Sequence, residues 1–420
     1  MSKTSIYDQL YQRRPTPEPK VPEAAPVLYD PQRLYLIDAI TLTPSGRVAK
    51  DDWPEPVAPE RDVSLIGPHG ETLLVYRVPE LVDQVPVQLT DAAAIKEWRL
   101  LQTWLDELIA LLLSVPGNED GGLPDLDVIW STDLTGHVRD QVHTLLRDTL
   151  SALRLPVNVQ RVESCRPLAL HTLHQQLAPG DQPAAPWVLL LGAGSCVHAP
   201  GVSALSHQQC LATTTQPVGL RPGEAASGLL FKRQPLLSEK IRPEKLLSET
   251  PSSEHTDRGD EAGWLLRPGF VCRHPSRDRQ RRAADHLDQA LSEHFAEHSS
   301  QPEHSSQPEQ SPDHGVPDFI VVDTLSLPGR SVELATLLMK RYPHIDLIEH
   351  GAAVDALCGW PGVVAPLIQL ALAAALTEGA EASVAVFSVN QDETTPVIML
   401  ETRASAHSDT SYQGEGRVAS

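Results

Sequence analysis

Short apolar runs alternate along the chain with longer stretches in which apolar residues recur every three or four positions. That alternation predicts strands covered on both faces, interleaved with amphipathic helices. Leu34 to Pro44 reads as a first buried strand running into a turn, and Ser64–Ile66 with Leu73–Tyr76 as a hairpin broken at Pro68-His69-Gly70. Ala92–Ser114 has helical spacing, with Asp91 placed to cap it and Pro116-Gly117 just past its end. Asp127–Trp130 predicts a strand, Val138–Leu153 a helix, and Leu155–Val162 a strand leading to Cys165 at the start of a further helix. Val188–Leu191 and Gly223–Phe231 complete this half as paired strands.

The pattern then repeats. After a helix over Asp278–Phe295 come a strand at Asp318–Val322, a helix at Ser331–Tyr342 and a short strand at Asp346–Ile348. An Ala/Leu-rich buried helix follows at Gly362–Leu376, then a terminal hairpin of Ser383–Ser388 and Pro396–Leu400. Two halves with matching alternation, each closing on paired strands, predict a duplicated α/β architecture. The expected boundaries are a disordered Pro-rich tail (1–31), a first half (32–233), a linker (234–266), a second half (267–402) and a tail (403–420). A low-complexity insertion is expected at 297–315, where Glu297-His-Ser-Ser-Gln-Pro302 is repeated at once as Glu303 to Pro308.

Composition narrows the partners. Of the 420 residues 41% are hydrophobic, enough for a globular core, while 37 prolines require extended loops or tails. A formal net charge of -21 argues against nucleic acid and against an anionic membrane surface. The five cysteines (165, 196, 210, 272 and 358) lack zinc-ligand spacing, so no metal is expected and free thiols in a cytoplasmic protein are. Residues 1–31 carry no apolar leader, and Val363–Leu376 is too short to span a bilayer, so no membrane insertion is expected. Gly192-Ala-Gly194 lacks the third glycine of a dinucleotide fingerprint, and no cofactor is expected.

The candidate chemistry lies at Cys165, because a cysteine at a helix N-terminus is set up as a thiolate nucleophile. A β-rich run, a cysteine, a helix and a buried strand ending in glycine resemble the nucleophile segment of thiolase-like condensing enzymes. Leu34–Pro44 is similar to that family's first strand and turn, and Gly223-Glu-Ala-Ala-Ser-Gly228 to the strand that follows its nucleophile half. Taken together, residues 33–402 resemble the thiolase fold of β-ketoacyl synthases.

The resemblance implies a cysteine nucleophile at Cys165 and two histidines in the second half. The first should follow the Phe319–Val322 strand, where this chain has Asp323-Thr324-Leu325-Ser326; the second should stand at Trp360. Arg166-Pro167 replaces the family's small-residue pair, and His344 and His350 substitute only if the match slips by several residues. Asp323, Thr324 and Trp360 are therefore degenerate positions, and the expected protein binds rather than catalyses. The plain alternative for Cys165 is a small half-buried residue at a helix start.

The divergent set it most resembles is the β-ketoacyl-synthase-like accessory proteins of type VI secretion clusters. The resemblance is carried by Leu34–Pro44, Val75–Leu81 and the histidine-poor second half. That implies a secretion effector or spike component as partner, and a homodimer built on the Val188–Leu191 strand. The competing expectation is an active acyltransferase or 3-oxoacyl synthase-type enzyme using Cys165. A third is an acyl-carrier-protein partner without turnover, which the acidic balance disfavours.

Overall fold

The computed structural model describes residues 29–49, 52–79, 81–82, 85–117, 121–178, 184–235, 263–274, 279–299, 316–377 and 382–402. Its first half comprises β1 (Tyr29–Thr43), β2 (Gly46–Val48), the hairpin β3 (Glu60–Ile66) and β4 (Thr72–Val75), α1 (Ala92–Trp104), α2 (Leu108–Leu112), β5 (Asp125–Ser131), α3 (Gly136–Ala152), β6 (Asn158–Cys165), α4 (Leu173–Leu177), β7 (Trp187–Ser195), α5 (Ala199–His207) and β8 (Glu224–Pro235). The second half comprises β9 (Trp264–Leu266), β10 (Phe270–Arg273), α6 (Arg279–Ser299), β11 (Phe319–Val322), α7 (Arg330–Arg341), β12 (Gly351–Ala353), α8 (Val354–Cys358), α9 (Ala365–Leu376), β13 (Ser383–Phe387) and β14 (Thr394–Thr402).

The strand order is β12-β11-β13-β14-β9-β1-β8-β7-β5-β6. From the central β9/β1 pair outward, each half has the same sequence order and the same senses. The inner pairs β1/β8, β7/β8, β9/β14 and β13/β14 are antiparallel, and the outer pairs β5/β7, β5/β6, β11/β13 and β11/β12 are parallel. The joint is antiparallel, with Leu34 opposite Leu266 and Leu36 opposite Trp264. The duplicated α/β architecture is thus written in the hydrogen bonding itself.

Three cores explain the apolar runs. Side chains alternate across a strand, so Val188 and Leu190 of β7 face a central core while Leu189 and Leu191 face an outer one. The central core packs α9 against both half-sheets, with Leu36, Leu229 and Phe231 on one side and Val321, Val384 and Ile398 on the other. One outer core sets Trp98, Leu101 and Trp104 of α1 and Val142, Leu146 and Leu150 of α3 on the first half-sheet. The other sets Leu287 and Leu291 of α6 and Leu334, Leu337 and Leu338 of α7 on the second. A fourth, smaller cluster places the β3–β4 hairpin and α5 over Leu211, Leu220 and Leu327 at one end of the sheets.

Several expectations change. Ala92–Ser114 is not one continuous helix, because a 3-10 turn at Leu105–Glu107 separates α1 from α2. Asp346–Ile348 is a turn, in which the Asp346 carboxylate accepts from Ile348 N and its carbonyl from His350 N; the strand starts at Gly351. β1 begins at Tyr29 within the expected tail, and β9 occupies the end of the expected linker because the joint with β1 needs it. Val188–Leu191 cannot carry a dimer contact, since β7 pairs with β5 on one side and β8 on the other. Among the described residues the outermost strands are β6 and β12. The expected linker begins inside β8, which runs to Pro235, and the rest of the expected N-terminal tail, residues 236–262 of the linker, residues 300–315 of the insertion and the tail from 403 lie outside the described residues.

The central helix generates a stability prediction. Leu372 of α9 is 0% exposed, so Leu372→Ala should lower stability by about 2–5 kcal/mol in denaturant unfolding. Met339→Ala on the exposed side of α7 should change it by no more than about 0.5 kcal/mol.

Candidate functional site

Cys165 is the last residue of β6, in register with Ser131 at the end of β5, which in turn is level with Gly192 of β7. Residues 166–169 then form neither helix nor strand. Arg166 precedes Pro167, and a residue before proline is pushed out of the helical region. Ala169 is extended, with φ -110° and ψ 134°, and only then do a 3-10 turn at Leu170–Thr172 and the five-residue α4 begin. The helix expected to start at Cys165 therefore starts several residues later. The thiol gains nothing from a helix dipole, whose influence is confined to the first turn.

Its electrostatics follow. The Cys165 side chain is half-buried against the central core, and burial pushes the thiol up from 9.0 to about 11, against a smaller opposing effect of the Ser131 hydroxyl and its own backbone. Among the described residues no imidazole is a group acting on it. Its carbonyl accepts from Thr132 N at 3.2 Å, and Thr132 Oγ1 donates to Glu97 Oε2 at 3.1 Å. Glu97 also accepts from Trp130 Nε1 at 3.0 Å, and burial holds its carboxyl well above the usual range. The sequence did carry a signal for Glu97, a lone carboxylate three residues from Ala94 on the core face of α1.

The second-half positions are occupied by structure. Asp323 accepts from Thr324 N at 2.9 Å, Val389 N at 2.8 Å and Asn390 N at 3.2 Å. Burial pushes its carboxyl up to about 7, opposed by those three donors and reinforced by Asp355. Thr324 Oγ1 donates to Asp355 on α8, which also accepts from Ser326 N at 3.1 Å. The knot ties the turn after β11 to the turn after β13 and to α8. Buried carboxylates in such a knot are fully hydrogen-bonded, as buried polar groups must be.

Trp360 lies on the segment that leads from α8 to α9, and its side chain packs at the edge of both the central and the fourth clusters. That segment is seated on the ends of the first-half strands. Gly223 N donates to Trp360 O at 3.1 Å, and Trp360 N to Arg221 O at 2.8 Å. A Cβ on Gly223 would lie 1.7 Å from Cys358 O, and one on Gly194 would lie 2.2 Å from Pro361 O. The backbones meet only because both positions are glycine. Val364 and Leu367 close over Gly192, beside Ser131 and hence Cys165.

The structure thus brings Cys165 and Trp360 to the border of one core but turns Asp323 and Thr324 into the loop knot. His344 Nε2 bonds Pro317 O at 3.1 Å, and His350 Nδ1 accepts from Asp346 N at 3.1 Å while its ring faces Phe319. Both belong to the turns beside β11 and β12. No group of metal-ligating side chains occurs among the described residues, and no described helix is long and apolar enough to cross a membrane.

No family model and no curated protein matches the chain. Among solved structures it is similar to an ishigamide ketosynthase/chain length factor, at 12% identity and TM-score 0.47, over 88% of this chain and 99% of that one. A variant of OleA from Xanthomonas campestris aligns at 12% identity and TM-score 0.42, over 88% and 99% of the two chains. 3-Oxoacyl-(acyl carrier protein) synthase III from Xanthomonas oryzae aligns at 12% identity and TM-score 0.40, over 89% and 99%. All three likenesses are remote, and the class assigned to this chain, a duplicated α/β protein, stands on its own strand order.

A thiol raised from 9.0 to about 11 has a thiolate fraction at neutral pH roughly a hundredfold below that of an ordinary cysteine. Alkylation at Cys165, followed by peptide mass spectrometry, should keep accelerating as pH rises from neutral toward about 11. A plateau below about 8.5 would mean an activated thiol.

Proposed function

We propose that the chain is a thiolase-like protein that has lost condensing chemistry and works by binding another protein. What carries the reading is the state of Cys165, a thiol at a strand end, raised by burial and, among the described residues, without an imidazole acting on it. Condensation needs the thiolate and a proton partner together, and loss of acid–base help alone lowers rate by about 10²–10⁴. In support, Asp323, Thr324 and Asp355 are engaged with one another and with the loop backbone, and the Cys358–Gly362 segment packs against Gly194 and Gly223.

The finer reading is a cytoplasmic accessory protein that assists loading of a type VI secretion effector or spike component. It rests on the sequence resemblance alone, with Asp323, Thr324 and Trp360 as the degenerate positions and a homodimer as the family-like assembly. The competing reading, an acyltransferase or 3-oxoacyl synthase-type enzyme acting through Cys165, makes an opposite prediction.

Intact-protein mass spectrometry after incubation with acyl-coenzyme A and with a thiol-reactive acyl mimic should show no adduct at Cys165. A stable adduct on the wild type that disappears in Cys165→Ala would sink the binding reading. In cells, deletion of the gene should impair release of the effector it serves, and Cys165→Ala should restore it fully. Failure of that variant, if folded, would make the cysteine functional.

A further inference from the structure

At the end of the sheet away from Cys165, β8 carries a buried cation. Arg233 is 3% exposed; its Nε donates to Leu177 O at 3.0 Å, and its Nη1 donates to Asp127 Oδ2 at 2.6 Å and Ala185 O at 2.7 Å. Its Nη2 is buried with no partner. A second buried nitrogen without a partner is His174 Nδ1, on α4. Both residues line one half-open cavity of about 10 Å³, lined also by Tyr29, Asp30, Arg33, Leu34, Leu177 and Ala178.

The chemistry of the two nitrogens is complementary. His174 Nε2 lies 3.1 Å from Leu266 O, and a carbonyl only accepts, so Nε2 carries the proton and Nδ1 presents a lone pair. Burial holds the imidazole below its ordinary value of 6.5, opposed in part by the bond to Leu266, which keeps it neutral at pH 7. Arg233 Nη2 can only donate. The occupant must therefore both accept and donate.

Charge decides between a neutral molecule and an anion. Arg233 is matched by Asp127, whose other oxygen meets Arg161 Nε at 2.9 Å, and Arg161 reaches Glu163 at 3.2 Å. At the rim, Arg33 is matched by Asp30 at 3.8 Å. With these cations paired and His174 neutral, the cavity has no surplus positive charge for an anion. Its size fits about one water molecule.

We infer that this cavity is a built site for a single structural water, which accepts from Arg233 Nη2 and donates to His174 Nδ1. The water completes a chain from Asp127 through Arg233 and His174 to Leu266 of β9, so it links the first half-sheet to the first strand of the second. It also gives α4, already held through Leu177 O, a second tie to Arg233. Protonation of His174 turns that acceptor into a donor, so the water would then accept from both nitrogens and the bond to His174 would reverse its direction.

A high-resolution crystal structure of the full chain, grown at pH 7 in bromide, tests this. The expected result is an oxygen-sized peak without anomalous signal, within hydrogen-bond distance of both nitrogens. An anomalous bromide peak, an unfilled cavity, or Arg233 Nη2 bonded to a protein acceptor would overturn the inference. In solution, ¹⁵N spectra of His174 at pH 7 should show the neutral Nε2–H tautomer. The Nδ1–H tautomer or an imidazolium would equally reject it.

Discussion

The packing of α9 between two half-sheets is the constraint on which the rest depends. The helix is apolar on nearly every face, which is tolerable only for a helix covered all round. Its one internal polar side chain, Gln369, is satisfied by Phe387 O and Ser388 Oγ. Because the central core draws from both halves, each half-sheet depends on the other to cover its inner face, and the outer helices can cover only the outer faces. The layered arrangement follows from that requirement.

Much of this was legible in sequence because strands buried on both faces leave continuous apolar runs, as at Trp187–Leu191 and Phe319–Val322. The short joint strand was not, since Trp264-Leu-Leu266 is a three-residue run whose role comes from pairing with β1 and β14. The turn at Asp346 failed for a local reason, an aspartate that bonds its own following backbone in preference to a strand ladder. The buried Asp127–Arg233 pair had a visible trace, charges inside otherwise apolar strands, but its geometry is tertiary.

At the candidate site the conformation departs from the one the sequence predicts. Cys165 itself ends β6 on the level of Gly192, three residues beyond Val162, where the apolar pattern ends the strand. The sequence pattern predicts a helix after it, and Pro167 is compatible with a first turn. The competing effect, restriction of the residue before proline, prevails here and leaves the thiol in extended chain. The loop knot and the backbone seat of Trp360 could not be read in advance, because both join residues distant in sequence. Placing an imidazole at 360 would change a side chain and leave the backbone contacts of Gly194 and Gly223 where they are.

The joint between the halves also bears on how the chain comes to be built. β1 leads the described chain, yet apart from the three-residue β2 beside Thr41–Thr43 its neighbours in the sheet are β8 and β9, with Leu34 opposite Arg233 and Leu266. On the ribosome that strand emerges long before either partner exists, and it is apolar on both faces. Contacts so distant along the chain form slowly and leave unpaired strand edges exposed in the interval. The order of synthesis and the order of assembly therefore run against each other at the middle of the sheet, and the nascent chain must be kept from its neighbours until its second half has been made.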